Sequence, residues 1–577
     1  MGLTRRSAAV VTTVAMATLL AACGGSGSGS AGGSAAASSG AAGGGAAVAY
    51  DPAHAGGTFV RLARSAAGTL DPQVNYTAQY WQFTQFLYDG LVMFEQVSGD
   101  GSFDVVADLA ESLPKPTNGG RTYVFTLRKG IKFSNGKELT TDDVVASFRR
   151  IFKVSGPTAG SFYDGIVGAD ACLKTPATCT LGGGVVADAV KGTVTINLKA
   201  ADPEFLFKLG VPHASILPKD TPAKDAGSVP IPGTGAYYIK SFDPSKELVT
   251  VRNPNFSEWN RQAQPKGYPD EIVEKYGQSV AAGVTAVQNG QADTIVEDLP
   301  ADRLPELGTT YADQVHVNLQ TAFWYLPLNV DLAPFDNPEA RQAVNWAIDR
   351  AAIVKIYGGP NLASPACSVL PPGFPGHEDF CLYSKPASLT WQGPDLEKAK
   401  QLVQESGTAG QVVQVISEDS EVAKAIGENV ASTLTAIGYQ ATAKPISGNI
   451  GSTNFRNTKN KVQISVAQRY QDYPAASNFL DVLLGCASVV PGSDSSTNIS
   501  GYCDKAVQAT MDQARVLGST DRAAADKLWA EVDRDVMGAG AVVPLITPKH
   551  VDFVSKRVGN YQWSKQFRMI LSQAWVK

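Results

Sequence analysis

Ser134 and Lys137 are spaced as in the S-x-x-K pattern, in which a serine hydroxyl attacks a carbonyl carbon. That mechanism places the serine at the start of a helix, whereas the intervening Asn135-Gly136 pair predicts a hairpin turn. The chain also contains no S-D-N, K-T-G, G-x-S-x-G, H-E-x-x-H or phosphate-binding loop pattern. We therefore expect that the protein is not an enzyme, with a serine hydrolase as the alternative.

Acidic residues and histidines add no further chemical site. Asp142 and Asp143 could act as a general acid and base, but acids at the start of a helix are more often its cap and the partners of its dipole. No C-x-x-C motif occurs, and the histidines are scattered without the spacing of metal ligands. They are His54, His213, His316, His377 and His550. We expect neither a metal nor another cofactor.

Cys23 ends a segment that has the build of a secretory signal. Arg5 and Arg6 lie near its start, and the largely apolar run that follows is shorter than the roughly 20 apolar residues of a membrane-spanning helix. Leu20-Ala21-Ala22-Cys23 resembles the lipobox of bacterial lipoproteins, which implies cleavage before Cys23 and attachment of a diacylglyceryl group to its thiol. We predict a signal peptide at residues 1–22 and a protein anchored by two acyl chains to the outer face of the cell membrane.

Residues 23–56 consist of this cysteine and a segment rich in Gly, Ala and Ser. The segment has almost no large apolar side chain to bury. The segment would have a mean reach of about 30 Å, enough to hold a folded domain away from a membrane. The net charge of −5 offers no basis for binding nucleic acid. We predict a disordered tether and then a folded body without a nucleic-acid partner.

The remaining cysteines fall into close pairs along the chain. These pairs are Cys172 with Cys179, Cys367 with Cys381, and Cys486 with Cys503. Export would permit disulfide bonds, and pairing of near neighbours is the simplest of the 15 connectivities that six cysteines allow. We expect local disulfides, each of which would stabilise the fold by roughly 2–4 kcal/mol, and by less for the shortest loop.

Strand and helix patterns alternate along the body, which predicts an α/β architecture. The run TFVRLAR, from Thr58, predicts a strand, and so does the alternation of Tyr123, Phe125 and Leu127. A helix is predicted after Thr140, which forms a capping-box pattern with the acid three residues later. Its predicted apolar face consists of Val144, Val145, Phe148, Ile151 and Phe152.

The stretch PFDNPEARQAVNWAIDRAA predicts one more helix. Asn337 would be its N-cap and Pro338 its first helical residue. Its apolar face would consist of Ala340, Val344, Ala347, Ile348 and Ala351. We expect this helix to pack on a sheet.

Several segments of the body resemble, in order, the family 5 solute-binding proteins of ATP-driven importers, the group of dipeptide-, oligopeptide- and nickel-binding proteins. These segments include GGTFVRLA, LYDGLV, YVFTLRKGIKFSNGKELTTDDVVASF, GTGAYYIKSF, AVQNGQADTI, LNVDLAPFDNPEARQAVNWAIDRAAIV and DYPAASNFLDVLLGC. The resemblance spans nearly the whole chain beyond the tether. It implies an α/β fold of the two-lobed periplasmic-binding-protein type II, with mixed sheets flanked by helices.

The resemblance also implies how the lobes are divided, because the family builds one lobe from both ends of the chain. We predict lobe I at residues 57–312 and 541–577, and lobe II at residues 313–540. The crossings between them are expected near residues 318–329 and 540–546. Such a receptor works by closing, since contacts that a ligand makes with both lobes exist only in the closed state.

Asp472 matches the position at which peptide-binding relatives use an aspartate to pair with the α-amino group of the ligand. Its context is Asp472-Tyr473-Pro474 followed by Phe479-Leu480. Arg469 stands where such relatives often carry an aromatic residue, and it could either neutralise Asp472 or hold a ligand carboxylate. A turn-capping role for Asp472 is the alternative to ligand binding.

Aromatic side chains complete the predicted site, because they can stack on peptide side chains or on sugar rings, although core packing is the alternative for each of them. The predicted ligand-binding residues are Asp472, Arg469, Tyr473, Tyr163, Trp324, Tyr80 and Trp81, with Tyr76, Phe323 and Tyr325 as further candidates. We predict a monomeric receptor that captures a di- or oligopeptide and delivers it to the permease subunits of an ABC importer. An oligosaccharide or another non-peptide solute is the alternative ligand.

Overall fold

The computed structural model describes residues 50–154, 156–300, 302–493 and 496–577. The predicted signal peptide, Cys23 and the tether up to residue 49 lie outside the described residues. The helices are α1 (Ala78–Leu87), α2 (Thr141–Lys153), α3 (Ala169–Lys174), α4 (Phe205–Gly210), α5 (Val280–Gln288), α6 (Leu304–Thr310), α7 (Pro338–Ala347), α8 (Arg350–Tyr357), α9 (Leu396–Glu405), α10 (Glu421–Ala436), α11 (Gly448–Arg456), α12 (Leu480–Leu484), α13 (Lys505–Leu517) and α14 (Arg522–Ala539).

The strands are short, apart from one near the end of the chain. They are β1 (Thr58–Leu62), β2 (Val92–Phe94), β3 (Val105–Ala107), β4 (Thr122–Thr126), β5 (Val185–Asp188), β6 (Thr193–Asn197), β7 (Tyr237–Asp243), β8 (Glu247–Arg252), β9 (Glu271–Lys275), β10 (Thr294–Ile295), β11 (Val315–Leu319), β12 (Ala322–Pro327), β13 (Ala363–Pro365), β14 (Val412–Glu418), β15 (Gln440–Ile446), β16 (Ile464–Ser465), β17 (Ala467–Tyr470), β18 (Val542–Phe553), β19 (Val558–Gly559), β20 (Trp563–Ser564), β21 (Arg568–Met569) and β22 (Trp575–Val576).

The larger sheets are both built from strands that are distant in sequence. One has the order β10-β1-β9-β8-β7, with β1 parallel to β9 and β10 and the remaining pairs antiparallel. The other has the antiparallel order β11-β18-β12-β17, with β13 also paired to β18. A smaller parallel sheet, β15-β14-β16, packs against α10. Mixed sheets flanked by helices are the architecture that the sequence predicts.

Helix α2 begins as its capping box predicts. The Asp143 carboxylate accepts hydrogen bonds from the Thr140 backbone N–H at 2.8 Å and from its hydroxyl at 2.6 Å. The other carboxylate oxygen of Asp143 accepts from the Lys219 N–H at 2.8 Å. The predicted apolar face is buried in the core. Asp142 and Asp143 therefore serve the helix start, as cap and dipole partner.

The helix that starts at Pro338 is shorter than the sequence predicts. Asn337 caps it, accepting from the backbone N–H groups of Glu339 and Ala340. The chain then leaves helical geometry at Ile348, and α8 begins after Asp349, whose side chain accepts from the N–H groups two and three residues later. This second cap competes with continuous helix, so the single apolar face that was expected to reach Ala351 is wrong.

The chain passes between separate hydrophobic cores where β18 lies beside β11 and β12. Val543, Leu545 and Ile546, in the first half of β18, pack in a core that includes α10. Val551 and Phe553, in its second half, pack in a core that includes β1 and α5. Both crossings were expected at these strands, and the exact lobe boundaries stay a prediction.

Disulfide bonds join the predicted cysteine pairs, Cys172 with Cys179, Cys367 with Cys381, and Cys486 with Cys503. Each bond closes a short loop, with sequence separations of 7, 14 and 17 residues. The predicted pairing of cysteines that are near neighbours in sequence is confirmed.

The folded body begins earlier than the predicted tether allows. Tyr50 stacks on Tyr268 with ring centroids 4.9 Å apart, and His54 stacks on Trp575 at 4.1 Å. Between them, Pro52–His54 forms a short 3₁₀ turn. These aromatic rings explain why residues 50–56 pack on the body, which corrects a tether that ends at residue 56. Within the described ranges, no helix has both the length and the apolar character needed to span a bilayer.

Candidate functional site

A cavity of about 460 Å³ lies where β12 and β17 face the start of α1 and the hairpin of β20 and β21. Its walls combine residues from both predicted lobes and include both aromatic and charged side chains. They include Tyr76, Trp81, Gln320, Trp324, Tyr325, Glu418, Arg456, Arg469, Gln471, Asp472, Trp563, Lys565, Gln566, Phe567 and Arg568. Its size and mixed lining are typical of a site for a small organic ligand.

Asp472 follows β17 and is only 7% exposed. One carboxylate oxygen, Oδ2, accepts from Arg469 Nη2 at 2.6 Å and from Asn478 Nδ2 at 2.9 Å. The other oxygen, Oδ1, accepts a hydrogen bond from the hydroxyl of Tyr76, which lies just before α1. Arg469 is itself held by the Asn478 carbonyl oxygen, at 3.1 Å from Nε and 2.8 Å from Nη2. The carboxylate is therefore neutralised within the protein on one oxygen and bound by a neutral hydroxyl on the other.

Burial and charge set the protonation states around this carboxylate. Desolvation of the Tyr76 hydroxyl, followed by the negative charge of Asp472, raises the pKa of this phenol, so it remains a neutral donor. Burial lowers the pKa of Arg469, but the opposing effect of the Asp472 carboxylate and the neighbouring tyrosines is larger, so the pKa of this guanidinium is raised overall. Because a carboxylate oxygen can accept more than one hydrogen bond, Oδ1 is the position that a ligand cation can reach.

The backbone around Asp472 is fixed from both sides. Its N–H donates to Asn478 Oδ1 at 2.8 Å, and its carbonyl oxygen accepts from Gln566 Nε2 at 2.8 Å. Gln471 Nε2 donates to the Lys565 carbonyl oxygen at 3.0 Å. These bonds orient the carboxylate toward the cavity, and they involve residues that the sequence reasoning missed.

Four of the predicted ligand-binding residues line the cavity, namely Asp472, Arg469, Trp324 and Trp81. The additional candidates Tyr76 and Tyr325 also line it, whereas Phe323 is buried in the core. Tyr76 meets Trp81 edge to face, with centroids 5.5 Å apart. The structure therefore brings these predicted residues together at one cavity.

Tyr80, Tyr163 and Tyr473 lie elsewhere, because they pack in cores away from the cavity wall. The Tyr80 hydroxyl donates to the Leu70 carbonyl oxygen at 2.7 Å, and the Tyr163 hydroxyl donates to the Lys208 carbonyl oxygen at 2.8 Å. These bonds satisfy the hydroxyls inside the body, so the core-packing alternative describes both residues.

Tyr473 instead connects segments from the two predicted lobes. Its ring meets Phe162 edge to face at 5.5 Å and lies parallel to Phe207 at 6.5 Å. Its hydroxyl approaches Glu204 at 3.4 Å, and the Ser477 hydroxyl donates to the same carboxylate. The core-packing alternative describes this residue, since its aromatic neighbours surround it.

The hairpin of β20 and β21 was missed by the sequence reasoning. It contributes Trp563, Lys565, Gln566, Phe567 and Arg568 to the cavity wall. Each of its strands is two residues long, which is too short for a strand period to be recognised. The only signal in the sequence was the concentration of aromatic and cationic residues in QWSKQFR.

The residues of the enzyme alternative lie apart from this cavity. Ser134 is in a tight turn, in which the Phe133 N–H donates to the Lys137 carbonyl oxygen and the Gly136 N–H donates to the Phe133 carbonyl oxygen. Lys137 pairs with Asp220 at 2.6 Å. The hairpin prediction for Asn135-Gly136 is confirmed, with Gly136 at φ +84°. Across the described residues, no group of three or more His, Cys, Asp or Glu side chains is arranged to hold a metal ion.

Comparison with known proteins gives a family for this fold and site. Residues 104–490 match the family described as bacterial extracellular solute-binding proteins, family 5. The periplasmic oligopeptide-binding protein OppA of Escherichia coli K12 is 26% identical over 522 residues, which cover 87% of this chain and 89% of that protein. Heme-binding protein A of Haemophilus influenzae is 25% identical, in an alignment that covers 88% of this chain and 90% of that protein.

A solved structure agrees on the fold. The clavulanic acid biosynthesis oligopeptide binding protein 2 superposes with a TM-score of 0.81 at 22% identity, over 91% of this chain and 96% of that chain. This similarity establishes the two-lobed α/β fold.

Proposed function

This chain belongs to the bacterial extracellular solute-binding proteins of family 5, which serve ABC importers, and from that premise we propose that it captures a di- or oligopeptide through Asp472. The observation that supports a peptide is the state of this carboxylate. It is buried at the cavity wall, and among the described residues the one hydrogen bond to Oδ1 comes from the neutral Tyr76 hydroxyl. An ammonium placed there forms a charge-assisted hydrogen bond in a site of low polarity, worth roughly 1.5–3 kcal/mol.

Closure of the lobes follows from the same geometry. Tyr76 and the hairpin of β20 and β21 belong to lobe I, whereas Asp472 and Trp324 belong to lobe II. A peptide bound between them gains its full set of contacts only when these walls approach each other, so it favours the closed state by its differential affinity. The importer subunits then receive a closed receptor, and the transported solute leaves when the lobes separate.

Calorimetry with short peptides tests the role of Asp472. A mixture of free tripeptides should bind, and the same mixture with acetylated amino termini should bind at least about tenfold more weakly. Asp472→Asn should reduce binding of the free peptides by a similar factor, whereas Asp535→Asn, which removes an exposed carboxylate on α14, should have no effect. Equal binding of free and acetylated peptides would show that Asp472 does not hold an amino group.

A non-peptide solute is the second candidate, because a relative of similar identity and coverage is named as a heme-binding protein. It is favoured if the protein binds no tripeptide and if a solute that copurifies with it, identified by mass spectrometry, retains its affinity for Asp472→Ala. An oligosaccharide would give the same result.

We further propose that the protein is exported and held at the outer face of the membrane by lipid on Cys23, as a monomer. The lipobox-like sequence and the extracellular family support this assignment. Cys23→Ala should move the protein from the membrane fraction to the soluble fraction of cells. Membrane retention of this variant would contradict the lipid anchor.

A further inference from the structure

The charged side chains of the cavity do not balance one another. The cationic residues of its lining are Arg456, Arg469, Lys565 and Arg568, and the acidic residues are Glu418 and Asp472. Arg469 is paired with Asp472 at 2.6 Å, and Lys565 is paired with Asp100 outside the cavity. Among the described residues, no carboxylate lies within salt-bridge distance of Arg456 or Arg568. Two guanidinium groups are therefore available to a ligand.

Arg568 is held in place by the hairpin of β20 and β21. It pairs with Ser564 across the hairpin and has a φ of +66°, a conformation that is costly for a residue other than glycine. Its Nη2 donates to Gln320 Oε1 at 3.1 Å. A guanidinium has five N–H donors, so this single amide oxygen leaves most of its hydrogen-bonding capacity free.

Two acids that Arg568 acts on electrostatically, Asp298 and Asp552, are paired with His550 instead. The Asp298 and Asp552 carboxylates lie 3.1 and 3.2 Å from the two ring nitrogens of His550. The remaining oxygen of Asp552 accepts from the Tyr561 hydroxyl at 2.5 Å. Arg568 acts on both acids electrostatically without forming an ion pair with either of them. It can therefore accept a carboxylate from a ligand without losing an existing ion pair.

We propose that Arg568 binds a carboxylate of the ligand and makes the receptor selective for peptides with a free acid group. The inference rests on the proposed peptide-binding function. Arg469 cannot serve this carboxylate, because it already neutralises Asp472. A carboxylate in a buried cavity needs an opposite charge and hydrogen bonds, and a guanidinium can supply two parallel hydrogen bonds to it.

The position of Arg568 distinguishes it from Arg456. Arg456 ends α11 and lies in lobe II together with Asp472. Arg568 lies in predicted lobe I, on the hairpin of β20 and β21. A ligand with its amino group at Asp472 and its carboxylate at Arg568 links the two lobes, so its charge contacts depend on closure.

The experiment uses a tripeptide library in two forms, with free and with amidated carboxyl ends, and native mass spectrometry of the captured peptides. The unchanged protein should retain the free acids over the amides by at least about tenfold. Arg568→Gln should abolish this preference, so that free acids and amides are captured to a similar extent. Arg568→Lys, which keeps the charge but loses the paired donors, should restore part of the preference.

Lys556→Gln is the matched control, since it removes one exposed positive charge from the same C-terminal segment. It should keep the full preference for free acids. A preference that survives in Arg568→Gln, or that is lost in Arg456→Gln instead, overturns the proposal. Equal capture of acids and amides by the unchanged protein also overturns it and leaves peptide binding intact, whereas capture of no peptide overturns the proposed function as well.

Discussion

Two buried aspartate–arginine pairs in this protein have similar chemistry but differ in how many of their hydrogen-bonding groups have partners within the fold. In the pair of Asp71 and Arg150, all three guanidinium nitrogens donate: Nη1 and Nη2 bind the Asp71 carboxylate, and Nε donates to the Pro222 carbonyl oxygen at 2.8 Å. The side chains are 0% and 5% exposed. In the pair of Asp472 and Arg469 the contact is through one oxygen, and a tyrosine hydroxyl fills the other.

The difference separates a structural ion pair from the proposed binding site. Asp71 also accepts from the N–H groups of Gln73 and Ala226, so the ion pair fixes several loops and leaves no position for a ligand. At Asp472, Oδ1 faces a cavity, and its partner Tyr76 is 45% exposed. A buried charge that is fully satisfied within the fold stabilises it, whereas one that is partly satisfied beside a cavity can bind a solute.

Removal of Arg150 should give the largest loss of stability. Arg150→Gln leaves the Asp71 carboxylate buried without its cation, and we expect a decrease of about 3–5 kcal/mol in the free energy of unfolding. Arg149→Gln, one residue earlier in α2, removes a guanidinium that donates to an exposed carbonyl oxygen and should cost less than about 1 kcal/mol. Urea denaturation measures both. Similar losses in the two variants would mean that the ion pair of Asp71 and Arg150 does not stabilise the fold.

A buried carboxylate without an ion-paired arginine should make the free energy of unfolding depend on pH. Burial raises the pKa of Asp533 from 3.8 to about 6, although its carboxylate accepts from the N–H groups of Val369 and Leu370. Between these pH values the unfolded carboxyl has lost its proton and the folded one retains it, so stability falls as pH rises, by about 3 kcal/mol in total.

Below pH 3.8 both states are protonated, and above pH 6 both are ionised, so this contribution is constant outside the window. Asp533→Asn should remove it, which makes the difference in unfolding free energy between the variant and the unchanged protein depend on pH between about 4 and 6. Denaturation at several pH values measures this difference. A difference that is independent of pH would contradict the raised pKa.

Asp472→Asn should affect stability less than Arg150→Gln does. Arg469 keeps its hydrogen bonds to the Asn478 carbonyl oxygen and is 18% exposed, so we expect a loss of about 1–3 kcal/mol in the free energy of unfolding. The same protein samples can be used for denaturation and for peptide binding. A stability loss as large as that of Arg150→Gln would remove the distinction between the two ion pairs.

Tyr76→Phe should have the smallest effect on stability, about 0.5–1.5 kcal/mol, because it removes one hydrogen bond and keeps the ring against Trp81. Tyr80→Phe is the matched comparison in the core. It leaves the buried Leu70 carbonyl oxygen without its partner and should cost more, about 1–3 kcal/mol. Thermal denaturation of the two variants measures the order. The reverse order would mean that the Tyr76 bond is part of the structural framework.

Features that depend on residues close in sequence were predictable without the structure. The capping box of Thr140 and Asp143, the cap at Asn337, the turn at Asn135-Gly136 and the three disulfides all connect residues at most 17 positions apart. Their geometry is set by local hydrogen bonds and short loops, which leave recognisable residue types at fixed spacing. The break at Ile348 shows the limit, because a second local cap competed with the helix and was overlooked.

The sequence by itself determined the α/β class, the helix starts and the disulfide pairs, and its family resemblance led to the proposal for Asp472. Only the tertiary structure decided which aromatic side chains reach the cavity, since Tyr80 and Tyr163 are buried while Tyr76 bonds Asp472 across 396 residues of sequence. It also brought Arg568 and Gln566 to the site from a hairpin of two-residue strands. The physical reason is that burial and long-range contacts depend on how separate elements pack together, and that packing leaves no periodic pattern in the chain.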